Sequence, residues 1–159
     1  MPFIIDGHNL IGALPDIQLA DLDDEEQLLK RLQSITVHFR KTMHVYFDKR
    51  APGAPSTFRQ GRLIAHFSHQ TSSADDAIKA HIRRLGRESS NWTVVSSDHA
   101  VLDFARNHGA RTTTSQDFAA SLNATRHENE ADDERDVHLS PDEIRSWEEL
   151  FDRNDSTST

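Results

Sequence analysis

The chain has 159 residues and a mass of 18.0 kDa, room for one domain with a sizeable core and a short appendage but not for two full domains. It has no cysteine, which excludes a disulfide framework and thiolate zinc or iron–sulfur chemistry. No apolar run approaches membrane-spanning length and no basic, then apolar, leader precedes Asp6, so a cytoplasmic location without a membrane partner is expected. The formal net charge of −8 resides in residues 125–159, where twelve acids face four bases; the first 124 residues balance and leave room for local basic patches.

Phe3-Ile4-Ile5 running into Asp6-Gly7 predicts a short buried strand with a carboxylate at its C-terminal edge. Ligands of open parallel α/β sheets bind at that edge, so Asp6 is a candidate for chemistry, against the plainer alternative of an Asx-turn. Gly7 would let the backbone approach whatever Asp6 holds. Leu10 to Leu22 has no steady period and reads as a connecting loop. From Asp23 to Lys41, Leu28, Leu32, Ile35 and Phe39 recur at helical spacing, with acids opening the segment and bases closing it. His44 to Phe47 is a second strand ended by a second acid, Asp48, before a loop that starts at Lys49-Arg50 and contains Pro52, Gly53 and Pro55.

Leu63 to Phe67 reads as a third strand and Ser73 to Gly86 as a helix with Ile78, Ile82 and Leu85 on one face. Ser73-Ala74-Asp75-Asp76 fits a capping box that accounts for Asp76 and leaves Asp75 free to point elsewhere. Trp92 to Val95 is a fourth strand closed by Ser96-Ser97-Asp98; His99 to His108 is a helix stopped at Gly109. Ala110 to Thr113 is a fifth strand, with Ser115 as the expected cap of a last body helix carrying Asp117 and Phe118. Thr125 to 139 is acidic and nearly free of large apolar residues, a solvated linker. Ser140-Pro141-Asp142-Glu143 then opens a helix over 140–152 with Ile144, Trp147, Leu150 and Phe151 as its apolar stripe, and 153–159 is a frayed polar end. That stripe must be buried on the chain's own body, on a second copy in a homodimer, or on a partner.

Alternating strands and helices predict a three-layer α/β/α domain over residues 1–124, its central sheet mostly parallel with about five strands. Right-handed crossovers then bring Asp6, Asp48 and Asp98 to one edge, joined by Asp75. Each has a local alternative as a turn or cap residue. Together, however, like charges within about 4 Å repel by roughly 4 kcal/mol at an effective dielectric near 20, and a cluster of four calls for a cation. Carboxylates without thiolates suit Mg²⁺ or Mn²⁺, and the matching chemistry is phosphodiester hydrolysis, with Asn9 orienting a ligand or water.

Ile4-Ile5-Asp6-Gly7-His8-Asn9-Leu10-Ile11, Val45-Tyr46-Phe47-Asp48, Ser73-Ala74-Asp75-Asp76-Ala77-Ile78, Val94-Val95-Ser96-Ser97-Asp98 and Gly109-Ala110 with Ser115-Gln116-Asp117-Phe118 stand in order across residues 2–121. Together they resemble the NYN domain, in its YacP-like branch of the PIN-like nucleases. The resemblance implies a PIN-like sheet, an acidic Mg²⁺ or Mn²⁺ pocket and endoribonuclease activity, in some members at the ribosome or on mRNA. It places the catalytic and metal-holding acids on Asp6, Asp48, Asp75 and Asp98, with Asn9 and Ser97 as polar support. An acid common in the family shortly before the Ala-Asp pair is absent here, where Ser68-His69-Gln70-Thr71-Ser72 stands instead. The tail from Glu128 lies outside the core resemblance.

An RNA substrate would need positive walls around the acids, for which Lys49, Arg50, Arg59 and Arg62 beside Asp48 and Arg83, Arg84 and Arg87 along the helix that Asp75 opens are candidates, with Phe58, rather than the in-strand Tyr46, able to stack a base. Ordinary solvated charge is the alternative for each. His8 beside Asp6 could touch a phosphate. A non-catalytic RNA-binding or ribosome-docking module of the same fold is the rival reading. A phosphoacceptor receiver is disfavoured because Ala110 to Ser115 offers no lysine.

Overall fold

The computed structural model describes residues 2–14, 24–48, 57–68, 73–129 and 141–156. Strand β1 (Phe3–Asp6) leads into helices α1 (Gly7–Ala13) and α2 (Asp24–Phe39). Strands β2 (Met43–Phe47), β3 (Thr57–Gln60) and β4 (Leu63–Phe67) come next, then α3 (Ala74–Leu85) and a 3-10 turn over Gly86–Asn91. Strand β5 (Thr93–Val95), α4 (His99–Asn107), β6 (Arg111–Thr113), α5 (Ser115–Asn129) and α6 (Pro141–Ser156) complete the chain. The sheet order is β3-β4-β2-β1-β5-β6. Every neighbouring pair is parallel except β3 with β4.

The chain builds outward from β1 to β2 and β4 on one side, then crosses back through α3 to lay β5 and β6 on the other. The order therefore reverses beside β1, and the C-terminal ends of β1 and β5 open the crevice in which such sheets bind ligands. Strand alternation divides the core. Phe3, Ile5, Met43, Val45, Phe47, Leu63, Ala65 and Phe67 face the layer of α1, α2, α5 and α6, whereas Ile4, Tyr46 and Val94 face α3 and α4. By the same alternation Asp6 shares the α3 side with Tyr46.

Four elements differ from expectation. Leu10 and Ile11 are fully buried on α1, a helix where a loop was expected; it ends at Leu14, which precedes Pro15 and is extended as a pre-proline residue should be. Strand β3 adds a sixth, antiparallel strand and places Phe58 on a strand rather than in a loop; all four of its residues are exposed. Helix α5 runs to Asn129, over the first residues of the expected linker, and α6 runs to Ser156, into the expected frayed end. Neither stretch contains the glycine or proline that would stop it. Thr114, not Ser115, caps α5: its hydroxyl accepts from the Asp117 amide at 3.1 Å, while the Ser115 hydroxyl is buried without a hydrogen-bond partner among the described residues. The 15–22 loop, Lys49 and Arg50 with their loop, residues 69–72 and the 130–139 linker lie outside the described residues.

The α6 stripe is buried on the chain's own body. Trp147 is fully buried and Leu150 nearly so, with the Trp147 ring 5.3 Å from Phe118 and the Phe151 ring 5.6 Å from Phe3 and 5.4 Å from Phe39. The apolar face of α6 is thus occupied within one chain.

Candidate active site

Asp6 ends β1 and begins α1 in a single residue. Its extended backbone (φ −79°, ψ 102°) makes it the α1 N-cap, so the plain turn-residue role is real. The carboxylate is nevertheless poorly served: Oδ1 accepts from the Asn9 amide and Oδ2 from the Ser96 hydroxyl, both at 3.5 Å, the long limit for such bonds. The residue is only 3% exposed. Burial is the main cause that pushes its pKa up to about 6; Asp75 and Asp48 push the same way, and the Asn9 amide and His8 oppose them.

The other three acids arrive on separate elements. Asp48, just past β2, accepts from the Ala74 amide at 2.5 Å, which ties the end of β2 to the positive N-terminus of α3. Asp75, in the first turn of α3, is held above the usual carboxylate range by burial, then by the charge of Asp98 and a hydrogen bond with it; Asp48 adds to this, and Lys79, one turn on, works against it. Asp98 caps α4, its Oδ1 accepting from the Ala100 amide at 2.9 Å. Asp6, Asp48, Asp75 and Asp98 are therefore electrostatic neighbours, linked pairwise through Asp75 and Asp6.

Asn9 serves the scaffold of this cluster. Its Oδ1 accepts from the Ser97 amide at 2.8 Å, from the Ser96 hydroxyl at 3.3 Å and, in a very short contact, from the Ser97 hydroxyl. These bonds pin the loop that carries Asp98 to the helix that Asp6 caps. Ser96, which sequence reasoning passed over, is the buried hub: besides Asp6 and Asn9 it meets the Asp98 amide, which donates to its hydroxyl at 3.1 Å. A second residue that was missed is Glu25 in the first turn of α2. Its Oε1 lies 3.3 Å from His8 Nε2, while His8 Nδ1 lies 4.0 Å from Asp48 Oδ2. His8 thus stands between two carboxylates at the pocket edge, its ring 5.4 Å from that of Phe47. Phe47 also explains Gly7: a side chain there would run into the Phe47 ring, so the glycine serves packing rather than a ligand.

The remaining expected residues lie further out. Asp76 is exposed and its amide bonds the Ser73 hydroxyl at 3.1 Å, as a capping box requires; Asp117 is exposed in the first turn of α5. Arg59 and Arg62 are exposed on the β3–β4 hairpin, next to Phe58 at 46% exposure. Arg83 is exposed on α3, with its guanidinium 5.1 Å from the Phe104 ring.

The YacP-like NYN domain model matches residues 3–152. The chain belongs to that family. Its fold is similar to the crystal structure of Rae1 (YacP) from Bacillus subtilis, with a TM-score of 0.66 at 18% identity over 82% of this chain and 78% of that one. A tryptophan-to-leucine variant of Rae1 gives 0.63 at 18% identity over 82% and 79%. No curated protein matches. The YacP-like match extends over most of α6, which the motif resemblance left outside, and the architecture is a PIN-like nuclease fold.

Among the described residues, no three Asp, Glu or His side chains are already gathered to hold a metal ion. The donor set still fits a hard divalent cation, which binds through one or two carboxylates and otherwise keeps its waters. Asp6 in particular is a buried carboxylate with two long hydrogen bonds and two acidic neighbours, against which His8 is the opposing charge among the described residues.

Proposed function

We propose that this chain is an endoribonuclease that hydrolyses RNA phosphodiester bonds with Mg²⁺ or Mn²⁺ held by Asp6, Asp48, Asp75 and Asp98. The observation that supports this most is the mutual destabilisation of the acids: burial and neighbouring carboxylates raise the pKa of both Asp6 and Asp75, an arrangement that costs stability unless a cation joins it. Membership of a PIN-like nuclease family points the same way. A divalent ion bound there supplies an acidified water and offsets charge on the phosphoryl oxygens.

The chain's own residues do the rest. Asn9 and Ser96 hold the Asp98 loop against α1, so that the acids keep their spacing. Glu25 sets the ring of His8, which offers a nitrogen towards Asp48 where a substrate phosphate would approach. Lys49 and Arg50 directly follow Asp48 in sequence, and Arg59, Arg62 and Arg83 add positive charge for an RNA backbone. Phe58 offers an exposed ring for an unstacked base.

The test is cleavage of a structured, end-labelled RNA by the unaltered chain and by Asp6→Asn, each with Mg²⁺, Mn²⁺ or EDTA. Cutting that requires metal and falls at least 100-fold in the variant, the scale of losing a main charge-stabilising group, is expected. Salt-sensitive binding without cutting by either protein would replace the nuclease with a binding module of the same fold.

A further inference from the structure

The α3 side of the sheet carries a second polar cluster, joined to Asp6 by one row of the strands. Thr57, His66, Tyr46 and Asp6 are successive register partners across β3, β4, β2 and β1. The next row runs Arg59, Ile64, His44 and Ile4. Helix α3 adds His81 and, three residues on and so on the same face, Arg84. Within the cluster His44 Nδ1 and His66 Nε2 are 2.9 Å apart, and the Tyr46 hydroxyl and His81 Nδ1 2.6 Å apart. The Tyr46 and His66 rings stack at 4.5 Å, and Trp92 packs against both His44 (5.4 Å) and His81 (5.0 Å).

This cluster is one-sided in charge. Burial holds all three imidazoles below their ordinary range. The charged side chains that bear on them and on Tyr46 are all basic: Arg59 on His44, and Arg84 on Tyr46, His66 and His81. Both arginines are exposed, and among the described residues neither has a carboxylate partner. His44 and His66 are half-buried, His44 in the field of Arg59 and His66 in that of Arg84. Two forked guanidiniums, beside the one N–H that the hydrogen-bonded pair of neutral His44 and His66 leaves free, with no acid among the described residues paired to them, form a receptor for an oxyanion.

We propose that Arg59, Arg84, His44 and His66 form a second anion subsite, which takes a backbone phosphate of the single-stranded RNA whose scissile phosphate lies at Asp6. It rests on the nuclease reading above and adds a direction for the strand. From Asp6 the polar row crosses two strand spacings to His66, about 10 Å, and a third to β3, which places the subsite a nucleotide or two along the chain. The subsite also answers an electrostatic need: four aspartates repel a polyanion, and cations flanking them draw it in.

The test uses the full chain carrying Asp6→Asn, in EDTA, with a fluorescein-labelled oligouridine RNA of about twelve nucleotides, a length suited to single-strand grooves. Binding is followed by anisotropy from about 50 to 200 mM salt. Adding Arg59→Ala and Arg84→Ala should weaken binding about tenfold and reduce the log–log salt slope by roughly 1.4, two contacts at about 0.7 each for a single strand. Arg106→Ala, whose guanidinium instead bonds Asp103 at 3.2 Å on α4, should leave both values unchanged. In the cleaving protein the same pair of substitutions should raise KM about tenfold with kcat within twofold. Unchanged affinity and slope in the double variant, with cutting intact in the unaltered chain, overturn the subsite alone. Equal losses from Arg106→Ala overturn it as well, since the effect is then general charge. An unaltered chain that neither binds nor cuts RNA overturns both readings.

Discussion

Asp6 has two tasks that set its charge against its surroundings. As N-cap of α1 it belongs where it is, yet as a buried carboxylate beside Asp48 and Asp75 it resists ionising. In the folded chain it titrates at about 6 against 3.8 in the unfolded one. Below 3.8 both forms are protonated and the penalty is absent; as pH rises from 3.8 to about 6 the unfolded chain ionises first and stability is lost, so at pH 7 the whole cost stands, on the order of 3 kcal/mol. Asp6→Asn should therefore raise the melting temperature of the metal-free protein at pH 7 while it abolishes cutting, as differential scanning calorimetry beside the cleavage assay would show. A fall in melting temperature would contradict the account of a strained carboxylate. Asn9→Ala acts in the other direction: it strips acceptors from the Ser96–Ser97 loop and should cost about 1–3 kcal/mol of stability, with kcat reduced more than KM because Asp98 loses its anchor. Urea unfolding and initial rates check both parts. The four acids were legible in the sequence because three of them end readable strands and the fourth stands beside a capping residue. Ser96 and Glu25 were not, since a serine in a polar loop and an acid in a first helical turn look the same with or without a site nearby.

At the scale of elements, α6 shows what patterning can and cannot say. Its stripe of Ile144, Trp147, Leu150 and Phe151 announced a helix that needed a surface, and nothing in the spacing named the surface. The rings of Phe3, Phe39 and Phe118 supply it from β1, α2 and α5. Trp147→Ala should therefore cost about 3–5 kcal/mol, measured by denaturant midpoint, without changing the mass in solution by light scattering; a dimer that falls to monomer on this substitution would contradict intramolecular docking. Strand β3 escaped the sequence for the opposite reason. Thr57, Phe58, Arg59 and Gln60 are all exposed, so no alternation of burial marks them, and only pairing with β4 makes them a strand. Helix α1 is short, and its buried pair Leu10 and Ile11 gives too few turns for a period to appear.

Across the whole molecule, two groups on the α3 side of the sheet, the acidic edge and the histidine cluster, respond to acid in opposite ways. His44 and His81 titrate at about 4 in the fold against 6.5 in the unfolded chain, with burial as the first cause. Above 6.5 they cost nothing; as pH falls from 6.5 towards 4 the unfolded chain takes up protons that the fold refuses, and stability declines. In the Asp6→Asn background, which removes one opposing carboxylate, the melting temperature should be several degrees lower at pH 5 than at pH 7, and His44→Leu should flatten that dependence. An unchanged slope in His44→Leu would place the acid sensitivity elsewhere. At neutral pH, by contrast, the acidic edge carries the cost, and the central claim is that Asp6, Asp48, Asp75 and Asp98 act as one cation-seeking unit. Titration calorimetry of Mn²⁺ into the unaltered chain and into each single Asp→Asn variant tests this most directly. The account predicts binding that weakens about tenfold or more in all four variants, as loss of a metal-site partner does. Mn²⁺ affinity that is the same in all five proteins would contradict it.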